Sequence, residues 1–323
     1  MKILRDIPVS QMLWYQIGGN AKYVLQCENR EDVLEAIEFI KQKYIGKVVV
    51  CGTGSNIIFT DNYFDGAVIQ ITFPEHKAPD VHMTNDGLIE AFAGVRLSDV
   101  ILFSFAHDRI GFEWAGGLPG TVGAGVRGNV GAYGGEIKDI LVSATLLDYS
   151  GDKPVYKTYS NEELQFVYRG SVVKYQNGLV VISARFRLKE GTDAEVKKAV
   201  SIYQDHIANR KAKHPLEYRN CGSVFKNIRE PEQIMKILEV FPEFEDDVKK
   251  KWYGKVATAS LIEKLGLKGY RVGDAQISDK HALFIVNLGS AKAGDVLAII
   301  KKVQDTFQTK FGFEPEVEVE IVK

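Results

Sequence analysis

The stretch from Gly116 to Glu136, GGLPGTVGAGVRGNVGAYGGE, is the part of the chain that says most about the fold. Nine of the twenty residues from Gly116 to Gly135 are glycine, whereas the whole chain has 30 in 323 residues. Glycine loses the most freedom on folding, so this density indicates a backbone that needs unusual dihedral angles or close approach. A flexible linker would be rich in Ser and other polar residues. This stretch instead interleaves Val, Ala, Leu and Tyr, so we expect a packed segment. Pro119-Gly120-Thr121 could open a short helix whose free N–H groups face an anion.

A second glycine turn, Gly52-Thr53-Gly54-Ser55-Asn56, follows the apolar run Lys47–Cys51, which is typical of a buried strand. Backbone N–H groups in such a turn can point at a phosphate. The dinucleotide fingerprint G-x-G-x-x-G is incomplete, because position 57 is Ile. A phosphate-binding turn and an ordinary tight turn both remain open from these residues alone.

A third stretch, Asn220–Asn227 (NCGSVFKN), places a hydroxyl beside Lys and Asn side chains. It could be a polar site or a loop that leads into a strand. No G-x-S-x-G motif is present, which disfavours a hydrolase triad. Cys221 could be a nucleophile, but a small buried residue is the favoured interpretation.

Composition narrows the class of protein. The chain is 45% hydrophobic and 26% charged, which is typical of globular proteins, and its length suggests about two domains. Its 41 Lys and Arg nearly balance 42 Asp and Glu, so no overall electrostatic field attracts the protein to nucleic acid or to an anionic membrane. No apolar run approaches the roughly 18 residues of a membrane span, and no signal peptide is expected at the N-terminus. The three cysteines show no paired spacing, which favours a reducing compartment. The histidines are scattered, which disfavours a metal site.

Periodicity predicts a mixture of helices and strands. Asn29 is a plausible N-cap of the first helix, and Thr192 to Glu195 forms a capping box. Helices are predicted over 31–44, 97–107, 192–213, 258–265 and 294–310, with a solvated helix face at 243–251. Strands are predicted over 22–27, 47–51, 67–71, 140–149, 179–188, 282–287 and 316–322, and in the neighbourhood of 269–277.

These stretches, in this order and spacing, resemble the UDP-N-acetylenolpyruvoylglucosamine reductase (MurB) family over nearly the whole chain. The resemblance is carried by YQIGG at 15–19, the turn 52–56 with FDG at 64–66, the glycine-rich 117–136, YRGS at 168–171, GSVFKN at 222–227, LIE at 261–263 with GLKG at 266–269, DAQIS at 274–278 with KHA at 280–282, and the terminal strand. The short link from Arg169 to Ser223 is similar to the family's second type, which lacks an inserted tyrosine loop.

The resemblance implies an α+β fold with a vanillyl-alcohol-oxidase-type FAD-binding domain of two α+β subdomains. It places that domain at 1–213, with subdomains of about 1–72 and 73–213, and a C-terminal α+β substrate domain at 214–323. It also explains the absent dinucleotide fingerprint. The residues that it implies for FAD binding are Gly52, Thr53, Gly54, Ser55, Asn56, Ile57, Pro119, Gly120, Thr121, Gly123, Asn129, Gly131, Ala132, Tyr133 and Gly134.

The family reaction uses NADPH and FAD to reduce the enolpyruvyl double bond of UDP-N-acetylglucosamine enolpyruvate to UDP-N-acetylmuramate, a peptidoglycan precursor. Ser223 matches the proton donor, and Arg169 and Glu318 match the residues that stabilise the enolic intermediate. A gapped alignment would replace Glu318 by Glu316, and both lie on one strand face. The resemblance further implies substrate contacts at Tyr168, Lys213, Asn227, Lys268 and His281.

Three residues depart from the family pattern: Gln16 stands where Arg is usual, Gly128 where Met is common, and Ile228 where Pro is usual. The first two could alter affinity for FAD. The alternatives are another FAD-dependent oxidoreductase of the same fold and a non-catalytic nucleotide-sugar binder. We expect a cytoplasmic protein without nucleic-acid or membrane partners, and a monomer is compatible with the sequence.

Overall fold

A computed structural model describes residues 1–74 and 76–323, which divide into two compact units. Unit 1 comprises Met1–Ile7, Ala21–Thr53 and Phe64–Ala212, and unit 2 comprises Pro8–Asn20, Gly54–Tyr63 and Lys213–Lys323. The chain changes unit at Ala212, close to the predicted boundary at 213. It also changes unit at four earlier points, so two short N-terminal segments belong to unit 2 and the division into contiguous domains stays a prediction. Long-range contacts explain these two segments: Tyr15 Oη donates to Ile285 O at 2.8 Å, and a strand at 57–59 pairs with the C-terminal strand.

The strands, in chain order, are β1 Lys2–Pro8, β2 Asn20–Cys27, β3 Val48–Cys51, β4 Ile57–Phe59, β5 Phe64–Ile71, β6 Val81–Met83, β7 Ile89–Phe92, β8 Arg109–Ile110, β9 Gly131–Ala132, β10 Gly135–Glu136, β11 Leu141–Asp148, β12 Val155–Ser160, β13 Leu179–Phe186, β14 Lys189–Glu190, β15 Arg219–Ser223, β16 Arg271–Val272, β17 Ala275–Ile277, β18 Phe284–Asn287 and β19 Glu320–Val322. The α-helices are α1 Arg30–Gln42, α2 Leu97–Ala106, α3 Val122–Gly128, α4 Ile137–Ile140, α5 Val172–Tyr175, α6 Asp193–Lys213, α7 Pro231–Val240, α8 Glu245–Lys250, α9 Thr258–Lys264 and α10 Ala293–Phe311.

Unit 1 is built on two sheets. The first has the strand order β1-β2-β5-β3, in which β5 pairs in parallel with β2 and with β3. The second has the order β12-β11-β13-β7-β6, and its pairs are antiparallel. Buried residues of both sheets, such as Ile69 and Ala91, belong to one hydrophobic cluster. The two predicted subdomains therefore share a core.

Unit 2 is built on the antiparallel sheet β15-β18-β17-β16. The long helix α10 packs on β17 and β16 through an apolar stripe that includes Val296, Ile300, Val303 and Phe307. The stripe repeats at intervals of three and four residues, as expected for a helix with one buried face. It was visible in the sequence for this reason.

Most predicted elements are confirmed. Asn29 Oδ1 accepts the N–H of Asp32 at 2.8 Å, and Thr192 and Glu195 exchange capping hydrogen bonds. The terminal strand is shorter than predicted, because the run changes its partner. Glu316 and Glu318 pair with the 224–226 backbone, whereas β19 pairs in parallel with β4. Within the described residues, no helix is long and apolar enough to cross a membrane.

Candidate active site

The turn after β3 packs against the start of α3 in unit 1. A Cβ on Gly52 would lie 2.6 Å from Thr121 Oγ1, so only glycine allows this approach. Thr121, the N-cap residue of α3, is 2% exposed. The next residue of the turn, Thr53, has a buried Oγ1 with no hydrogen-bond partner among the described residues. A buried hydroxyl in this state is costly, and it marks a place where a ligand or water can supply the missing partner.

The helix start itself differs from the expectation of free N–H groups that face an anion. The first two amides of α3 are used inside the protein: Val122 N donates to Val95 O at 2.8 Å, and Gly123 N donates to Ala93 O at 2.9 Å. A Cβ on Gly123 would lie 2.9 Å from the Ala93 Cβ. The need for glycine at 123 is thus explained by close packing of the helix on the chain after β7.

The rest of the glycine-rich stretch forms the hairpin β9–β10. Its turn residues Tyr133 and Gly134 have φ of 50° and 93°, which is the left-handed pair of a tight two-residue hairpin. Both are exposed, and open space surrounds the position of a Cβ on Gly134. Gly135 lies against Trp114, whose ring would be 2.4 Å from a Cβ there. The segment is packed, as predicted, and its turn is the part that a ligand can reach.

Helix α6 lies beside this hairpin. The ring of Tyr133 stacks on His206, with centroids 3.7 Å apart and planes 12° from parallel. One turn further along α6, the Arg210 guanidinium is partly buried near Tyr133, and burial lowers its pKa. The Arg210 Nε atom is buried without a hydrogen-bond partner among the described residues. Sequence reasoning missed Arg210, although the spacing of 203, 206, 210 and 213 on one helix face could have indicated it.

Arg169 lies at the tip of a tight turn in unit 1. Val167 and Gly170 exchange two backbone hydrogen bonds, of 3.0 and 3.2 Å, so Tyr168 and Arg169 occupy the central positions. Arg169 has φ of 59°, a left-handed conformation that is strained for a residue with a Cβ. Its Nη2 donates to Gly131 O at 3.0 Å, and its guanidinium carbon lies 5.1 Å from the centre of the Tyr168 ring. The turn thus presents a cation beside the glycine-rich segment.

Ser223 ends β15 in unit 2. The pairing of β15 with β18 shifts register between Asn220 and Ser223, which is a bulge. Bulges re-aim the side chains that follow them. Gly222 within the bulge has φ of 78°, and its N–H donates to Asn220 Oδ1 at 3.0 Å. Ser223 is half-buried and lies opposite Phe284.

The two glutamates that the sequence left as alternatives differ in their surroundings. The 316–318 backbone runs antiparallel to 224–226: Glu318 N donates to Val224 O at 2.8 Å, and Lys226 N donates to Glu316 O at 2.9 Å. Glu318 is half-buried and joined to the residue next to Ser223. Glu316 has a side chain 70% exposed, and it pairs with Lys226 Nζ. The structure therefore places the Glu318 backbone against Val224, the residue after Ser223, and the Glu316 side chain in an exposed ion pair.

The remaining predicted substrate residues fall into two groups. Asn227 and His281 are held by contacts inside unit 2: Asn227 Oδ1 accepts the N–H of Thr258 at 3.2 Å, and the His281 ring lies 5.0 Å from the ring of Phe284, which is paired with Ser223. Lys213 is exposed at the end of α6, and Lys268 pairs with Glu263 at 3.0 Å.

Cys221 is not a reactive nucleophile. It is fully buried, and burial raises the pKa of its thiol to about 12. This confirms the interpretation of Cys221 as a small core residue. Within residues 1–74 and 76–323, His, Cys, Asp and Glu side chains form no cluster that could hold a metal ion.

Two family models match the chain. The model described as the UDP-N-acetylenolpyruvoylglucosamine reductase C-terminal domain matches residues 214–322. The model described as an FAD binding domain matches residues 21–153. The second match includes the turn after β3 and the glycine-rich segment, which are the two stretches predicted for the cofactor.

Proteins named UDP-N-acetylenolpyruvoylglucosamine reductase are similar over almost the full length. The protein from Caldicellulosiruptor saccharolyticus is 36% identical over 98% of this chain and 92% of its own. The one from Agathobacter rectalis is 37% identical over 99% of this chain and 94% of its own. The crystal structure of the Thermus caldophilus reductase matches with a TM-score of 0.74 and 26% identity, with complete coverage of both chains. The predicted family and fold class are confirmed, and the chain belongs to the UDP-N-acetylenolpyruvoylglucosamine reductase (MurB) family of FAD-dependent oxidoreductases.

Proposed function

We propose that this protein reduces UDP-N-acetylglucosamine enolpyruvate to UDP-N-acetylmuramate with FAD as cofactor and NADPH as reductant. The observation that carries the proposal is the arrangement in unit 2, where the bulge of β15 presents Ser223 and the backbone of Glu318 joins the next residue. A hydroxyl and a carboxyl group held on adjacent strands are the groups required to protonate and stabilise an enolic intermediate.

Thr53 and the turn at Tyr133 and Gly134, all in unit 1, fit a flavin nucleotide. The buried Thr53 Oγ1 needs a partner, and a phosphate oxygen or a ring nitrogen could accept a hydrogen bond from it. The exposed turn at Tyr133 and Gly134 has no side chain in the space beside Gly134. When bound, FAD would accept hydride from NADPH and supply it to the enolpyruvyl double bond. The proposed FAD-binding residues are Gly52, Thr53, Gly54, Ser55, Asn56, Ile57, Pro119, Gly120, Thr121, Gly123, Asn129, Gly131, Ala132, Tyr133 and Gly134. Asn129 would contribute through its backbone, because its side chain makes hydrogen bonds inside the protein.

Each proposed catalytic residue has a defined task. Arg169 binds the carboxylate of the enolpyruvyl group with its guanidinium and stabilises the charge that develops there. Ser223 gives its proton to the carbon next to that carboxylate. A serine hydroxyl is a weak acid, but the enolic intermediate is a strong base, so transfer is feasible when the two groups are in contact. Glu318, in its protonated form, donates a hydrogen bond to the same intermediate.

Substrate contacts are proposed at Tyr168, Lys213, Asn227, Lys268 and His281. Cationic and amide donors suit the diphosphate and uracil groups of a UDP-sugar. We further propose a cytoplasmic location, where the nucleotide-sugar substrate would be found.

The test is NADPH consumption by the FAD-loaded protein without oxygen, with and without the enolpyruvyl sugar. More than one equivalent of NADPH per flavin, consumed only with the sugar present, is the expected result. If flavin is reduced once and the sugar never reoxidises it, the substrate is wrong and another FAD-dependent oxidoreductase of this fold is favoured. If no flavin binds, a nucleotide-sugar binder becomes the better interpretation.

A further inference from the structure

Asn129 ends α3 within the glycine-rich segment, and its side chain is fully buried. Its Nδ2 donates to Val167 O and to Glu136 Oε2, each at 3.0 Å. Its Oδ1 accepts the N–H of Lys138 at 3.1 Å. A side-chain amide has two donor hydrogens and two acceptor lone pairs, so three of these four positions are already used inside the protein. The Asn129 side chain therefore holds protein segments together.

The segments that it joins are the flavin-side segment, residues 127–134, and the arginine turn, residues 167–171. Hydrogen bonds at alternate residues of the flavin-side segment, 127, 129 and 131, join the two segments. Ser171 Oγ donates to Arg127 O at 2.9 Å, Asn129 Nδ2 donates to Val167 O, and Arg169 Nη2 donates to Gly131 O. Asn129 and Ser171 are both completely shielded from solvent. These bonds fix the arginine turn relative to the flavin-side segment.

We propose that Asn129 is a positioning residue, which acts through the arginine turn to set the guanidinium of Arg169 and to couple it to the flavin-side segment. This inference rests on the proposed function, because it takes Arg169 as the carboxylate-binding group. Coupling of this kind is reciprocal. A cofactor that orders residues 129–134 must also reduce the motion of the arginine turn. If the hydrogen bonds between the two segments are lost, binding of the cofactor should no longer order that turn.

The backbone of Asn129 permits a clean variant. Its φ of 42° is left-handed, a conformation that glycine adopts without the Cβ penalty. Asn129→Gly thus removes the side-chain hydrogen bonds while it preserves the local backbone. Asn161→Ala is the matched control. Asn161 Nδ2 also makes two hydrogen bonds, to Lys138 O at 2.8 Å and Leu141 O at 2.7 Å, but none of these reaches the arginine turn.

Hydrogen exchange with and without FAD tests the coupling directly. In the wild type and in Asn161→Ala, FAD should slow exchange of the amides between 167 and 175. In Asn129→Gly, which keeps the backbone through which residue 129 would contact the cofactor, FAD should still bind, but that protection should be lost. Equal protection in the wild type and Asn129→Gly would overturn the proposal, and so would FAD binding to the wild type without any protection of this turn.

Half-reaction kinetics provide the second readout. Asn129→Gly should lower the rate of flavin reoxidation by the enolpyruvyl sugar about 10²-fold, the loss expected from a misplaced group. Flavin reduction by NADPH should change much less. In Asn161→Ala, we expect any loss of rate to affect both half-reactions equally and to accompany a loss of thermal stability. If Asn129→Gly behaves in the same way, Asn129 has a structural role only and the proposal is wrong. If FAD protects the arginine turn of the wild type but the enolpyruvyl sugar does not reoxidise the flavin, the proposed substrate is refuted and the proposed coupling stands.

Discussion

Arg169 stands at a left-handed position of the backbone and Ser223 directly follows one, but the two sites are held in different ways. Arg169 itself has φ of 59°, whereas Ser223 follows Gly222 with φ of 78°. The arginine turn depends on the buried side chains of Asn129 and Ser171. The Ser223 strand depends on backbone pairing on both sides, with Val224 N bonded to Leu283 O at 2.9 Å and Val224 O to Glu318 N at 2.8 Å.

The two kinds of support differ in how easily a single substitution can disturb them. A side-chain clamp disappears when one side chain is changed, whereas a backbone ladder survives most substitutions on its strands. We therefore expect the Arg169 site to be sensitive to distant polar substitutions. The Ser223 site should respond mainly to changes in the reacting group or in the backbone conformation.

The largest effect is expected from Ser223→Ala, which removes the proposed proton donor and leaves the ladder intact. Product formation should fall about 10²- to 10⁴-fold, the usual loss when a general acid is removed. Flavin reduction by NADPH should continue, and the free energy of unfolding should stay within about 0.5 kcal/mol. Anaerobic stopped-flow spectroscopy separates the two half-reactions. Ser278→Ala, a buried serine of the same unit, is the control; turnover of Ser223→Ala near the wild-type rate would exclude it as the donor.

Ser171→Ala tests the clamp. It removes the hydroxyl that donates to Arg127 O, which should lower the free energy of unfolding by about 1–3 kcal/mol in a urea titration. It should also slow the sugar-dependent half-reaction more than flavin reduction. Ser183→Ala removes another fully buried hydroxyl of unit 1, which donates to Glu90 at 2.9 Å. A similar selective loss in Ser183→Ala would show that the effect does not come from the arginine turn.

Gly222→Ala tests the backbone pairing of the Ser223 strand, because it changes a residue with a left-handed φ directly before Ser223. The nearest atom to the new Cβ would be Ser55 O at 3.8 Å, so space is available and the cost is the left-handed φ. We expect a loss of about 1–2 kcal/mol in the free energy of unfolding. Gly294→Ala is the control, because it lies in the first turn of α10 without a positive φ, and alanine favours a helix. If both variants unfold at the wild-type urea concentration, the strain argument for Gly222 fails.

The smallest effect is a pH dependence in unit 1. Burial lowers the pKa of His206, with partial opposition from Asp205 and Glu113. The neutral ring is then favoured in the folded state, so this contribution is complete above the unfolded pKa of about 6.5. It is lost as the pH falls through the lower folded value. Relative to His206→Phe, which keeps an aromatic ring on Tyr133, the wild type should lose thermal stability between about pH 7 and pH 5. Parallel melting curves for the two proteins over this range would contradict the prediction.

Much of the fold could be predicted because its signals are local. The cap at Asn29, the capping box at Thr192 and the apolar stripe of α10 each involve residues within one or a few helical turns. The order of the glycine motifs identified the family, which the relatives confirm. The run at 316–322 was predicted as one strand because its alternation of charged and apolar residues indicates a half-buried extended chain. This alternation does not indicate which strand is the partner.

The candidate site shows the same limit. Sequence alone left Glu316 and Glu318 equivalent, since residues two apart share a strand face. Their partners distinguish them, because the Glu318 backbone bonds to Val224, whereas the Glu316 side chain forms an ion pair with Lys226. The first two amides of α3, which the sequence predicted to be free, are used for a related reason: they find carbonyl partners about thirty positions away, at Val95 and Ala93.

The elements, the glycine positions and the family could be predicted without a structure, because propensity, capping and motif order are properties of neighbouring residues. The roles of several of these residues depend instead on contacts between distant parts of the chain. Asn129 is part of a glycine motif in the sequence, yet its side chain bonds to Val167, which is 38 positions away. A buried amide takes whatever partners the fold brings to it, since leaving it unpaired is costly. Those partners follow no sequence period, and so the clamp on Arg169 could be found only in three dimensions.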